Sequence, residues 1–117
     1  MYNIYLISAE INGKKCYKIG YTKRTIQERI KEFKTGNASD FEIVNSFKTN
    51  WGSKIESLLH RSYKDKKVNG EWFDLSEQDL SEFTINCQKI HNNFALILAH
   101  NTYIMDRIES GKQNNII

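Results

Sequence analysis

The Asn12–Gly13 pair constrains the fold of this chain more than any other feature of its sequence. It lies between two runs of β-forming residues, NIYLISAEI before it and KKCYKIGY after it. An Asn-Gly pair in this setting predicts a two-residue type I′ turn between antiparallel strands. The turn sets a register in which Tyr5 faces Gly20 and is a diagonal neighbour of Lys18 on one sheet face. The opposite face then carries Ile4, Leu6, Tyr17 and Ile19.

A first helix is predicted directly after the second strand. Thr25 and Glu28 form a capping box, which marks the start of this helix, and Gly36 marks its end. Arg29 lies on or beside the inward stripe of the helix, because it falls between apolar residues at helical spacing. Those apolar residues are Ile26, Ile30 and Phe33.

The middle of the chain predicts one more strand and one more helix. Residues 41–47 are typical of a strand, and residues 50–66 are typical of an amphipathic helix. A turn and a short extended piece, NGEWFDL, follow them. The fold class predicted from these elements is α+β, with a small antiparallel three-stranded sheet flanked by helices and a long C-terminal helix or helix pair.

The C-terminal segment from residue 76 to residue 110 contains neither glycine nor proline. Ser76 is a favourable N-cap, with Asp79 three residues later. The apolar residues that follow alternate in steps of three and four, a heptad pattern in which Asn101 occupies one apolar position. The pattern predicts one long helix or a helix pair, which either packs on the sheet or forms the seam of a homodimer. The apolar positions are Leu80, Phe83, Cys87, Ile90, Phe94, Ile97, Ile104 and Ile108.

The composition, with 39% hydrophobic and 26% charged residues in 117, is that of a globular chain. No apolar run approaches the ~20 residues of a membrane span, and no secretory signal is evident, so we expect no membrane partner. Cys16 and Cys87 have no metal-ligand spacing, which disfavours a zinc site or disulfide framework and fits a cytoplasmic location. We expect a functional module at residues 1–75, a helical extension at residues 76–110 and a polar tail at residues 111–117.

Charge is distributed unevenly along the chain. Residues 1–70 hold 14 Lys and Arg and 7 Asp and Glu, whereas residues 71–117 hold 3 and 7. A basic front part favours an anionic partner, with nucleic acid as the first candidate. A solvated basic surface with no such partner is the plain alternative.

A group of polar residues is suited to the hydrolysis of a phosphodiester. Tyr5 and Lys18 share a sheet face, Arg29 points toward that face, and Glu56 lies one helical turn before His60. A tyrosine near cationic groups has its phenolate favoured, so it can orient or deprotonate water. An arginine can offset charge on a phosphate. One carboxylate together with phosphate oxygens is a sufficient seat for Mg²⁺.

These residues resemble the GIY-YIG nuclease superfamily. The matching segments are IYLI at residues 4–7, YKIGYT at residues 17–22, Arg29, and IESLLH at residues 55–60. The branch most similar to this chain is the small phage and prokaryotic group whose second motif reads K-I-G and which ends in GEWF, here residues 70–73. The resemblance covers residues 2–75 and implies the same three-stranded α+β fold.

The resemblance implies a role for each matching residue. Tyr5 would be the general base or the group that orients the attacking water, and Tyr21 would assist proton transfer. Lys18 and Arg29 would offset charge at the scissile phosphate. Glu56 would bind the single metal ion. Three further matching residues would have structural rather than catalytic roles. They are Gly20, where a side chain would crowd the site, and Glu71 and Trp72 of GEWF.

We therefore expect a Mg²⁺-dependent endonuclease, with Mn²⁺ as a substitute, that acts on nucleic acid and on DNA more than on RNA. The resemblance implies products with 5′-phosphate and 3′-hydroxyl ends. The chain departs from the family pattern at Asn3, where a glycine is usual, and at Val68, where an asparagine is usual and Asn69 is adjacent. The basic side chains expected to contact the substrate are Lys23, Arg24, His60, Arg61 and Lys64.

The sequence leaves two other functions open. One is a catalytically silent nucleic-acid-binding module of the same fold, and the other is a regulatory factor that binds a protein through the C-terminal helix. Ordinary structural roles are also available to the site residues. Arg29 could pair with Glu28 or Glu32 on the surface of the first helix. Glu56 could be the capping-box partner of Ser53.

Overall fold

A computed structural model describes residues 1–33 and 41–113 of the chain, and side chains as far as residue 100. The predicted helix end at Gly36 lies outside these residues, as do the side chains of Asn101, Ile104 and Ile108. The elements in chain order are β1 (Tyr2–Ile11), β2 (Lys14–Thr22), α1 (Ile26–Phe33), β3 (Glu42–Thr49), α2 (Gly52–Ser62), a 3₁₀ turn (Lys64–Lys66), β4 (Lys67–Asn69), β5 (Trp72–Phe73) and α3 (Glu77–Gln113).

The hairpin between β1 and β2 has the predicted turn and register. Asn12 and Gly13 have φ angles of 53° and 79°, as both central residues of a type I′ turn must be left-handed. Tyr5 pairs with Gly20 across the two strands, and Ile7 pairs with Lys18. The prediction of the register is therefore confirmed.

The sheet has five antiparallel strands in the order β3-β1-β2-β5-β4, so the prediction of three strands is wrong in this detail. The additional strands are three and two residues long and come from the segment around GEWF. Gly70, with φ 55°, forms the tight turn between them. Strands this short show no alternating pattern, which is why the sequence indicated only an extended piece. The predicted α+β class is confirmed.

Apolar side chains pack on both faces of the sheet. On one face, α1 covers a small cluster made of Tyr5, Ile7, Ile26 and Ile30. On the other face, α2 and the first half of α3 cover a larger cluster that includes Ile4, Leu6, Ile19, Ile55, Leu59, Phe73, Phe83 and Cys87. The hairpin register assigned β1 and β2 residues to these faces correctly. Within the described residues, no helix combines the length and apolar character that crossing a bilayer requires.

The two shorter helices begin in different ways. The Glu28 N–H donates to the Thr25 hydroxyl at 3.2 Å, which forms the predicted cap of α1. Helix α2 follows Trp51 with no side-chain cap and ends at Ser62, earlier than predicted, because the chain tightens into the 3₁₀ turn. Glu56 therefore has no capping role with Ser53 in this helix.

The C-terminal segment forms one continuous helix of 37 residues rather than a helix pair. Phe83 and Cys87 are fully buried against the sheet, and Phe94 packs at the margin of the same core. The next heptad position with a described side chain, Ile97, is 53% exposed, and the neighbouring Leu96 is 69% exposed. The first half of α3 thus packs on the sheet. The homodimer seam stays a prediction for the second half.

The start of α3 has a reciprocal cap, and we predict that it contributes measurably to stability. The Asp79 N–H donates to the Ser76 hydroxyl at 3.1 Å, and the Ser76 N–H donates to the Asp79 carboxylate at 2.9 Å. Ser76→Ala should lower the free energy of unfolding by about 1 kcal/mol, measured by urea denaturation. Ser57→Ala, at an exposed serine of α2, is the control and should change it by less than about 0.5 kcal/mol. Equal effects of the two changes would contradict a capping role.

Candidate active site

The site forms where the outer edge of β2 has no neighbouring strand. Strand β5 pairs with β2 only at Tyr17 and Lys18. Polar side chains of α2 bond to the backbone groups beyond that point: the His60 Nε2–H donates to the Ile19 carbonyl at 2.8 Å, and the Glu56 carboxylate accepts from the Tyr21 N–H. Buried backbone groups need hydrogen-bond partners, and His60 and Glu56 supply them to β2. These contacts hold α2 against this edge of the sheet. Beyond Lys18, the described part of this edge does not pair with β5, and Gly20 is buried there.

Gly20 is required by the close approach of Tyr5. Tyr5 is 2% exposed, and its ring lies across the backbone of Gly20, its partner in the strand pair. A methyl group on Gly20 would overlap the Tyr5 hydroxyl and would lie 2.9 Å from ring atom Cε1. The glycine therefore lets a buried tyrosine bring its hydroxyl to the edge of the sheet.

A cleft of about 470 Å³ opens at this point. It receives residues from the end of the β1–β2 hairpin, from α1, from α2 and from the turn before β5. Four of the five predicted catalytic residues line it. The lining residues are Tyr5, Gly20, Tyr21, Thr22, Arg24, Arg29, Glu56 and Glu71.

Tyr5 is a neutral phenol in this environment. Burial raises its pKa above the ordinary value of 10.0, the charge and hydrogen bonding of Arg29 oppose this shift, and the carboxylates of Glu71 and Glu56 add to it. Arg29 favours the phenolate, as predicted, but its effect on the pKa is smaller than that of burial, so the net shift favours the phenol. Desolvation of the hydroxyl outweighs the attraction of the single guanidinium beside it.

Two carboxylates face the cleft. Burial raises the pKa of Glu56 above its ordinary 4.5; the charges of His60 and Lys18 and the Tyr21 N–H oppose this, and the charge of Glu71 adds to it. Sequence reasoning assigned Glu71 only a structural position in GEWF and missed that it lines the cleft. Glu71 lies in the turn between β4 and β5, and no pattern in the sequence predicted how these short strands pair.

Lys18 lies behind the cleft rather than in its wall. Its ammonium group is 3.1 Å from the Glu71 carboxylate, and its side chain is only 14% exposed. The same ammonium is 4.0 Å from the centre of the Phe33 ring, on which the Arg29 guanidinium also packs at 4.6 Å. One aromatic ring thus holds both cations that the sequence placed on inward faces. Phe33 had been identified only as an apolar residue of α1.

Arg29 reaches the cleft and also pairs with Glu32. Its Nη1 atom bonds to one oxygen of that carboxylate, and its side chain is 33% exposed. Arg29 therefore both pairs with Glu32 on α1 and lines the cleft. An arginine has five N–H donors, so one ion pair leaves most of them for another ligand.

The remaining predicted residues have separate positions. The exposed Tyr21 ring packs edge-on against Tyr2, with 5.7 Å between ring centres, and β2 continues one residue further, to Thr22. The Lys23 ammonium packs over the Tyr2 ring at 5.2 Å. Of the predicted substrate contacts, Arg24 lines the cleft, and the others, Lys23, His60, Arg61 and Lys64, do not. Trp72, predicted as a structural position, and Asn69, next to the position where the family has an asparagine, also lie outside the cleft wall.

The donors in the cleft fit a magnesium ion held mainly by its substrate. Among the described residues, no group of three or more His, Cys, Asp or Glu side chains is placed to hold a metal. Mg²⁺ takes oxygen ligands, keeps several waters, and is commonly bound by one or two carboxylates together with phosphate oxygens. The partly buried Glu56 carboxylate, with Glu71 across the cleft, supplies that kind of donor set.

The fold and this site define a small α+β domain whose cleft is lined by two tyrosines, two arginines and two glutamates near one glycine. The chain belongs to the T5orf172 domain family, a phage-associated family whose model matches residues 3–91. The match extends beyond GEWF into α3 and includes Phe83 and Cys87, which are buried in the core. No curated protein and no solved structure matches the chain.

Proposed function

We propose that this protein is a Mg²⁺-dependent endonuclease of the GIY-YIG type, acting on nucleic acid and on DNA in preference to RNA. The observation that carries the proposal is the convergence of Tyr5, Arg29 and Glu56 on one cleft at Gly20. These side chains come from three separate elements, so their meeting is not a consequence of sequence proximity. Membership of the T5orf172 family supports a function connected with nucleic acid.

Glu56 would hold the metal ion, and Glu71 lines the same cleft. A bound Mg²⁺ supplies charge stabilisation to the oxygens of the scissile phosphate, and Mn²⁺ can replace it. The raised pKa of Glu56 comes first from burial, so a cation in the cleft would favour the ionised carboxylate. This is the behaviour of a carboxylate that is placed for a ligand.

Tyr5 would orient the attacking water through its hydroxyl oxygen, with Tyr21 relaying the proton to solvent. Arg29 is placed to donate to the phosphate oxygens as charge develops on them, and this kind of fixed donor acts most strongly away from bulk water. Lys18 contributes from behind, because Glu71 and Phe33 hold its ammonium group near the cleft. The products would carry 5′-phosphate and 3′-hydroxyl ends.

A plasmid-nicking assay tests this proposal directly. Purified protein should nick supercoiled DNA with Mg²⁺ and not with EDTA. Arg29→Gln should reduce the rate by about 10²–10³, the usual loss of one fixed donor to a developing anion. Lys15→Gln, at an exposed lysine near the hairpin turn, is the control and should retain the rate. Salt-sensitive DNA binding by the unchanged protein, without cleavage in Mg²⁺ or Mn²⁺, would select the silent binding module instead.

The pH dependence of cleavage should reflect the two shifted groups. Since Glu56 must be ionised to hold a cation and its pKa is raised, the rate should fall with acid at a higher pH than an exposed glutamate would require. Since the pKa of Tyr5 is also raised, a rise caused by its ionisation should continue beyond pH 10.0, its ordinary value. Single-turnover rates from about pH 5 to about pH 11 measure both limbs. An acid limb unchanged in Glu56→Gln would exclude Glu56 as its source.

A further inference from the structure

Two arginines of the cleft wall share one carboxylate. Arg24 bonds through Nη2 to one oxygen of Glu32, and Arg29 bonds through Nη1 to the other oxygen. The bridge joins the β2–α1 connection to the second turn of α1. Both arginines line the cleft, whereas Glu32 is not one of its lining residues. Glu32 thus holds the two cations from behind.

The backbone of Arg24 is fixed from two sides. Its N–H donates to the Thr22 hydroxyl at 3.1 Å, and its carbonyl accepts from the Asn3 side-chain amide at 3.2 Å. Asn3 stands where the resembling family has a glycine, so this departure from the motif has a structural consequence in this chain. It ties the start of β1 to the residue whose side chain reaches the cleft.

The arrangement leaves a net positive charge and free donors at the mouth of the cleft. Two guanidiniums face one carboxylate, and the side chains of Arg24 and Arg29 are 50% and 33% exposed. Each arginine uses a terminal nitrogen for Glu32 and keeps other N–H groups. The two arginines lower the pKa of Glu32, Arg24 most strongly, which keeps the carboxylate ionised and the bridge intact. Paired arginine forks suit phosphate oxygens better than lysine ammonium groups do.

We propose that Arg24 and Arg29 form a two-arginine phosphate clamp that Glu32 positions, Arg29 at the scissile phosphate and Arg24 at a neighbouring phosphate of the same backbone. The clamp deepens the proposed function, since its ligand is the nucleic-acid substrate of that site. Arg24 is then a substrate-binding residue and Glu32 a positioning residue.

The salt dependence of DNA binding tests the contact made by Arg24. Binding of a short fluorescein-labelled DNA duplex is measured in EDTA between about 50 and about 200 mM salt, so that cleavage plays no part. Arg24→Gln should reduce the slope of log affinity against log salt by about 0.9, the value for one lost phosphate contact. Lys15→Gln is the control. Lys15 is seven residue steps from Thr22 along β2, about 23 Å, so the slope for Lys15→Gln should be unchanged.

Catalysis tests the positioning role of Glu32. Glu32→Gln should lower kcat by at least tenfold, the effect typical of residues that orient a site. KM should stay constant or fall, because the cleft gains positive charge. A merely structural role would instead lower thermal stability and leave kcat unchanged. A rise in kcat would show that Glu32 masks the arginines, and it would overturn the positioning role.

The outcomes separate the clamp from the proposed function. If the unchanged protein cleaves DNA but Arg24→Gln has the same salt slope of binding as the unchanged protein, the clamp is overturned and the endonuclease assignment stands. No cleavage, with the slope reduced as expected, would overturn the assignment and leave the clamp as a binding device. Absence of salt-dependent binding by the unchanged protein would overturn both.

Discussion

Glu56→Gln is expected to reduce metal-dependent DNA cleavage about a thousandfold, because the charge stabilisation by a bound metal ion contributes several kcal/mol to such a reaction. The amide keeps the size of the side chain and can still accept from the Tyr21 N–H. It carries no charge to hold Mg²⁺. The rate at saturating Mg²⁺, measured by plasmid nicking, gives the size of the loss.

Glu56→Gln should lose cleavage activity without losing stability. The pKa of Glu56 is raised in the folded protein, so the folded state holds this proton more tightly than the unfolded state does. Stability conferred by the protonated form is therefore lost as the pH rises from 4.5 through the raised pKa, and at neutral pH the ionised carboxylate destabilises the fold. Glu56→Gln should keep or raise the melting temperature.

Glu10→Gln is the matched control for Glu56→Gln. Glu10 is exposed at the turn end of the hairpin, where it pairs in register with Lys15. This change should leave both the cleavage rate and the melting temperature near their original values. A Glu56→Gln protein that is unfolded, or that cleaves at the original rate, would contradict a metal-holding role.

Gly20→Ala is expected to abolish cleavage and to lower the free energy of unfolding by about 1–3 kcal/mol, the usual cost of overpacking a buried site. The new methyl group would overlap the Tyr5 hydroxyl and ring, and Tyr5 cannot move aside easily because it lies in β1, which is paired on both sides with β3 and β2. Its ring is further confined by Phe33, at 6.1 Å between centres. Cleavage assays and urea denaturation measure the two effects.

A second glycine and a double variant separate the steric effect from general destabilisation. Gly13→Ala should also destabilise, by about 1 kcal/mol, because Gly13 is left-handed, yet it should still cleave DNA while folded. Tyr5→Leu combined with Gly20→Ala removes the overlapping atoms and should recover stability without recovering cleavage. If the loss of stability in the double variant equals the sum of the losses in Tyr5→Leu and Gly20→Ala, the predicted clash between the two side chains is contradicted.

The sequence predicted the parts of the site that local rules determine. The Asn12–Gly13 turn determined which residues of β1 and β2 face each other, so the pairing of Tyr5 with Gly20 followed from it. The cap at Thr25 determined where α1 begins and thereby the inward direction of Arg29. Such features depend on a few adjacent residues and on the two-residue and 3.6-residue periods of strands and helices.

The sequence could not predict features that depend on several elements at once. The position of Glu71 depends on how the short β4–β5 hairpin pairs with β2, and that pairing covers only Tyr17 and Lys18. The protonation of Tyr5 depends on how deeply its hydroxyl is buried, which no spacing records. A count of nearby cations favoured the phenolate, whereas desolvation favours the phenol.

The sequence alone determined that this chain builds a hairpin with a tyrosine over a glycine and brings an arginine toward it. It also identified Lys18 and Arg29 as cations on inward faces. Only the tertiary structure decided how these cations are held: they pack on one Phe33 ring and pair with separate carboxylates, Glu71 and Glu32. The physical reason is that turns and caps are short-range, whereas charge pairing and burial depend on contacts between elements distant in the chain.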